Sequence, residues 1–268
     1  MSNIRDEFMP CWHRIREEKK DMLSIHDRKV LDDICSSSKE WIDTIPQGLL
    51  ASYSYIYTVT QGLNTHEASI IERDVLRTIG AVKDGYGLFR TITEEGKSGY
   101  ARSMRRVLTS ISLTDGMGYC QGMNYAADFF LRVVPEKEAF CLFLHALRNK
   151  HLCCIYETNL PVLSDFMDIY EQLLNYNHPA LAQSLKEKNF LAPFYSIEWF
   201  TTMFTLACPP QLTAAVWDLF FFGLKDAFVR CAIGIMKVLE DQLMVMNTEE
   251  LLKNFRYIFE ISHFIISP

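Results

Sequence analysis

Tyr100-Ala-Arg-Ser-Met104-Arg-Arg-Val107-Leu108-Thr-Ser-Ile111 spaces its apolar residues at intervals of 4, 3, 1 and 3. That rhythm puts them on one stripe of an α-helix and on both faces of a strand, so the segment is predicted helical. The pattern recurs along the chain. Ala139, Phe140, Phe143, Leu144 and Leu147 follow Pro135, a helix-start residue. Leu163, Phe166, Tyr170, Leu173 and Leu174 follow Pro161, and a short helix is expected after Pro179. A long stripe runs through Phe228, Ala232, Ile235, Leu239, Leu243 and Met246. Asn247 with Glu250 has capping-box spacing, and Leu251, Phe255, Ile258 and Phe259 continue beyond it. Val-Ile-Thr alternation is scarce and no fixed-period repeat is found. The expected fold class is therefore all-α.

Composition narrows the function classes. The 268 residues are 49% hydrophobic and 22% charged, as in an ordinary globular protein. A net charge of -6 disfavours nucleic acid as the main partner, because phosphate backbones reward basic surfaces. Met1 to Lys20 mixes charge signs without an apolar stretch, unlike a secretory signal. The apolar run Ala126–Val134 is interrupted by Asp128 and Arg132, and no segment reaches the ~20 residues of a membrane span. The eight cysteines lack framework spacing and read as reduced thiols of a cytoplasmic protein.

Two short motifs carry the chemistry. Ile71-Glu-Arg-Asp74-Val-Leu-Arg77-Thr78 sets a carboxylate and a guanidinium three residues apart on one helix face. Its helix is expected to start at Asn64, with Glu67 as third helical residue, and to stop at Gly80. Tyr119-Cys-Gln121-Gly122-Met-Asn124 sets a carboxamide beside a glycine, where backbone can approach a ligand. An arginine and a glutamine are the groups that GTP hydrolysis uses to neutralise developing charge and to orient water.

Both motifs resemble those of the TBC domain, the catalytic domain of Rab GTPase-activating proteins. Three further segments resemble the family in the same order: Ile45-Pro46, Glu198-Trp199-Phe200, and Val216-Trp-Asp-Leu-Phe-Phe-Phe-Gly223. The resemblance runs from about Ile45 to about Phe259. It implies a single TBC-type helical domain of two helical subdomains over 45–262. A helical segment over 1–44, set off by Ser36-Ser37-Ser38, would precede it, and a tail over 263–268 would follow. It implies catalytic roles for Arg77, as an arginine finger, and for Gln121, as a glutamine finger. Asp74, Tyr119, Gly122 and Asn124 would support them. Trp199, Trp217 and Asp218 read as structural.

The implied partner is a GTP-bound Rab-type GTPase bringing its own nucleotide and magnesium. No cofactor is expected on this chain, and neither nucleic-acid binding nor membrane insertion. A role in vesicle trafficking and recruitment to endomembranes through the GTPase would follow.

Two departures keep a second reading open, a TBC-like scaffold that binds a GTPase or another protein without catalysis. The family's arginine and tryptophan after Ile-Pro are Leu50 and Ser54 here, and its proline after Arg-Thr is Gly80. Other patterns carry less. Gly96-Lys97-Ser98 has Thr91 where a phosphate loop needs glycine. His145, His151, Cys153 and Cys154 lack the spacing of a zinc site. No hydrolase signature occurs.

Overall fold

The computed structural model describes residues 25–81, 94–149, 152–156, 161–224 and 226–255. Among the described residues the chain is helical, without strands. It divides into two compact units, Met1–Cys153 and Cys154–Pro268.

The first unit holds α1 (Ile25–Asp43), α2 (Gln47–Thr60), α3 (Ala68–Ala81), α4 (Glu94–Ser112), α5 (Met123–Val133) and α6 (Glu136–Arg148). The stripe of α4 is its centre: Met104, Val107, Leu108 and Ile111 are fully buried. They meet α2, α3, α5 and α6. Phe140, Phe143, Leu144 and Leu147 of α6 are buried as expected. Full burial of one such side chain contributes about 1.5–3 kcal/mol, which outweighs any local propensity along these helices. Tyr100 is half-buried instead, because its hydroxyl reaches Asp128 Oδ1 at 2.7 Å.

Three local expectations are corrected here. Helix α1 runs unbroken through Ser36–Ser38. Ser38 is fully buried and its hydroxyl donates to the Val133 carbonyl at 3.1 Å, so a serine that suggests a loop serves a helix contact. Trp41 of α1 is wholly buried beside Phe129 and Phe130, which binds this helix to the unit. Asn64 does not cap α3: its Oδ1 accepts from the adjacent Thr65 N–H, and the helix begins four residues later. Gly80 lies inside α3 rather than ending it. The glycine signal is weak without a demonstrated left-handed backbone.

The second unit holds α7 (Pro161–Asn177), α8 (Pro179–Glu187), α9 (Pro193–Thr201), α10 (Pro210–Phe221), α11 (Ala227–Val245) and α12 (Thr248–Asn254). Four of these begin with the proline, which fits the first turn because its missing N–H has no partner there anyway. Trp199 and Trp217 are buried in an aromatic cluster with Phe204 and Phe228. The capping box of Asn247 and Glu250 is formed on both sides. Leu173 is exposed at the edge of the α7 stripe, and Met246 lies just past the end of α11. Ile258, Phe259, Thr91 and His151 lie outside the described residues. Glycine 96 to Ser98 sits within α4, so the segment is helix, not a phosphate loop.

Among the described residues no helix is long and apolar enough to cross a membrane. Nor is any group of three His, Cys, Asp or Glu placed to hold a metal ion.

Candidate functional site

The site grows from the buried face of α3. Ile71, Asp74, Val75 and Thr78 recur at helical spacing and point inward. Asp74 is the anomaly, a carboxylate only 3% exposed. A buried carboxylate is costly unless its oxygens are hydrogen-bonded. Both are. Oδ1 accepts from Arg77 Nη1 at 3.0 Å, and Oδ2 accepts from the Tyr119 hydroxyl at 2.8 Å.

Arg77 lies one turn along α3, at the edge of the buried face. Its side chain stays 55% exposed. Asp74 holds one nitrogen of the guanidinium, while the fork has five N–H donors in all. The arginine is thus held through one terminal nitrogen, and its remaining donors make no hydrogen bond among the described residues.

The second motif lies in the segment between α4 and α5. Gly116, Gly118 and Gly122 take φ of 75°, 64° and 109°. These are left-handed values at which a side chain is strained, and at Gly118 an added Cβ would lie 3.4 Å from Glu67 Oε1. Gly122 caps α5 without a side chain. Asn124 supplies what the glycine lacks: its Oδ1 accepts from the Gly122 N–H at 3.0 Å. Its Nδ2 donates to Thr78 Oγ1 at 2.8 Å, and Thr78 donates to the Asp74 carbonyl at 2.7 Å. Asn124 is 1% exposed and so returns the α5 start to α3 from inside the core.

Gln121 stands out from this frame. It is exposed, and its carboxamide makes no hydrogen bond among the described residues. Cys120 before it is half-buried, and burial, then Asp74 and Glu67, push its thiol above its ordinary value. It stays protonated at neutral pH and is a poor nucleophile.

The structure therefore joins five of the six residues singled out in sequence, Asp74, Arg77, Tyr119, Gly122 and Asn124, through one hydrogen-bonded network. Gln121 belongs to it by chain continuity. Two members escaped the sequence reading. Thr78 was legible only as part of a motif. Glu67 was expected to cap a helix, but its Oε1 accepts from the Tyr119 backbone N–H at 2.9 Å and its Oε2 accepts from the Ser112 hydroxyl. No local pattern announces bonds across 52 and 45 residues.

At the first departure, Leu50 is half-buried, and Ser54 Oγ lies 3.8 Å from Cys141 Sγ. The neighbouring Tyr55 is 68% exposed.

Comparison with known proteins agrees with this architecture. The chain is 22% identical over 262 residues to the human "Ecotropic viral integration site 5 protein homolog", covering 96% of this chain and 31% of that one. It is 27% identical over 191 residues to the Caenorhabditis elegans "Rab GTPase-activating protein eat-17", covering 70% of this chain and 20% of that one. The chain thus spans less than a third of either relative. Among solved structures, the Chlamydomonas flagellar RabGAP TBC domain shares the fold, with a TM-score of 0.63 at 19% identity. That match covers 96% of this chain and 90% of the other. The model of the Rab-GTPase-TBC domain matches residues 45–244. The helical fold, the ordered motifs and this match together mean that the chain belongs to the Rab-GTPase-TBC domain family.

Proposed function

We propose that this chain accelerates GTP hydrolysis by a Rab-type GTPase, supplying Arg77 and Gln121 in trans. The observation that carries the reading is the Asp74 carboxylate. It grips Arg77 with one oxygen and Tyr119, two residues before Gln121, with the other. One buried group thereby organises an exposed guanidinium and the loop of an exposed carboxamide. Holding such groups before the partner arrives lowers the entropic cost of reaching the transition state.

The division of labour follows from side-chain chemistry. The Arg77 fork matches phosphoryl oxygens and keeps its charge, so it neutralises charge that develops as the γ-phosphoryl departs. Gln121 can accept from the attacking water and donate toward a phosphoryl oxygen, which fixes the water's approach. GTP and magnesium are supplied by the GTPase. Endomembrane recruitment would come through that partner.

A scaffold reading keeps one observation in its favour: Leu50 and Ser54 replace the family's arginine and tryptophan on α2. Single-turnover phosphate release from a panel of GTP-loaded Rabs separates the two. The activator reading expects at least one Rab to be stimulated by orders of magnitude. Binding to a GTP-loaded Rab without faster phosphate release establishes the scaffold instead.

A further inference from the structure

We infer that Glu67 is a positioning residue for Gln121, setting the height of the Gln121 loop over α3. The assignment rests on the activator reading above and adds a residue to it.

The loop needs such a clamp. The loop is bounded by two left-handed glycines, Gly118 and Gly122. Several of its own bonds are local. The Cys120 N–H reaches Met123 Sδ at 3.4 Å, the Gly122 N–H reaches Asn124 Oδ1, and the Met123 N–H reaches the Cys120 carbonyl at 3.2 Å. These shape the turn, and Asn124 ties its Gly122 end to Thr78 of α3, which leaves the Tyr119 end to be fixed. Two side chains of the α3 region grip Tyr119 directly. Asp74 takes its hydroxyl, at the far end of a ring that can pivot. Glu67 takes its backbone N–H at 2.9 Å and so holds the main chain itself.

Glu67 is well placed for this. Its carbonyl accepts from the Ile71 N–H at 3.0 Å, so it stands at the first turn of α3. Asp74 is seven residues on, about 10 Å along the axis. The Tyr119 end of the loop is thus held at two points, one at the start of the helix that presents Arg77 and one within it. The Glu67 carboxylate is itself held. Ser112, the last residue of α4, donates to Oε2, and Thr65 Oγ1 lies 2.7 Å from the Ser112 hydroxyl. The Glu67 N–H also donates to Thr65 Oγ1 at 3.3 Å. An added Cβ at Gly118 would lie 3.4 Å from the carboxylate, so the loop backbone runs close against it. The α4 end, the α3 start and the loop therefore converge on this one side chain.

Glutamine and alanine at this position separate the hydrogen bond from the charge. Glu67→Gln keeps an acceptor for the Tyr119 N–H, and Ser112 can accept from the new amide. Glu67→Ala removes the clamp. Both variants are to be compared with wild type in two readouts: single-turnover hydrolysis by a stimulated Rab, and amide hydrogen exchange of residues 118–122 in the free protein.

Glu67→Ala is expected to exchange there about tenfold faster. It should lose about tenfold or more in stimulation, since displacements near 1 Å can cost far more. Glu67→Gln should stay within about threefold of wild type in both. The decisive arm is Glu67→Ala in a Gln121→Ala background. A residue acting through Gln121 has little left to lose there, so the further loss should be under about twofold. An equal loss in both backgrounds overturns the assignment, as does unchanged exchange at 118–122 or a Glu67→Gln variant as poor as alanine. If the wild-type chain stimulates no Rab, the activator reading falls as well. Normal wild-type stimulation with additive losses removes Glu67 alone.

Discussion

Arg77 and Asp74 are a pair whose chemistry is set three residues apart in sequence, yet their environments are opposite. Asp74 is buried, while the Arg77 side chain is 55% exposed. Arg77→Ala strips Asp74 Oδ1 of its partner inside the core, so it should stay folded but cost about 1–2 kcal/mol. If it is an arginine finger, the same change should cut stimulated GTP hydrolysis about 10³-fold or more. Arg77→Lys should fail nearly as badly, because a point charge cannot reproduce the planar fork. Single-turnover phosphate release together with urea unfolding checks both halves. Near-normal stimulation by either variant removes Arg77 from the mechanism. The spacing of this pair was legible from sequence, but the burial of its carboxylate was not. Asp74 is buried because Tyr119, 45 residues away, covers its second oxygen.

At the scale of elements, the first unit has a polar junction joining α2, α4 and α6. Glu136, at the start of α6, accepts from Arg106 of α4 through Nε and Nη2, both at 2.6 Å, and from the Tyr57 hydroxyl of α2. Burial pushes the Glu136 carboxyl up, but hydrogen bonds from Arg106 and Tyr57 outweigh it and leave the group below its ordinary value of 4.5. A depressed carboxylate adds stability above its unfolded pKa and loses it as pH falls through the folded one. Glu136→Gln should therefore cost about 1–2 kcal/mol at pH 7, a figure reduced because Arg106 is partly exposed and solvent-screened. The gap between wild type and variant should narrow from pH 7 to an acid pH below the ordinary carboxylate range, and close as pH passes the depressed folded value. Urea unfolding at both pH values measures it, and a gap that persists undiminished in acid rules this linkage out. The individual helices were legible from their apolar rhythm. The junction was not, because a glutamate at a helix start looks the same whether it meets solvent or a distant arginine.

At the scale of the whole molecule and its partner, Gln121 gives the sharper test of mechanism. If it positions the attacking water, the GTPase's own switch glutamine becomes partly dispensable. A Rab with that glutamine changed to alanine should still be stimulated by the wild-type chain and not by Gln121→Ala. An activator that supplies arginine alone leaves water positioning to the GTPase and fails on the altered Rab. Phosphate release from two Rabs with two versions of this chain decides it. If the wild-type chain stimulates normal Rab but not the altered one, the arginine role stands and the glutamine role is lost.

By itself the sequence determined the helical class, the apolar faces of α4, α6 and α11, the capping box at Asn247, and the order of motifs that mark the family. Each is a local matter: helical spacing and cap chemistry act within a few residues, where the chain cannot avoid them. Tertiary structure alone decided that α1 runs through three serines, that Asn64 gives way as a cap, and that Glu67 holds the Tyr119 backbone. The physical reason is common to all three. A polar side chain has nearly equal uses in a loop, at a helix end or across a core, and those alternatives differ by about 1 kcal/mol. Which one prevails depends on partners that packing brings from distant parts of the chain: Val133 for Ser38, Tyr119 and Ser112 for Glu67.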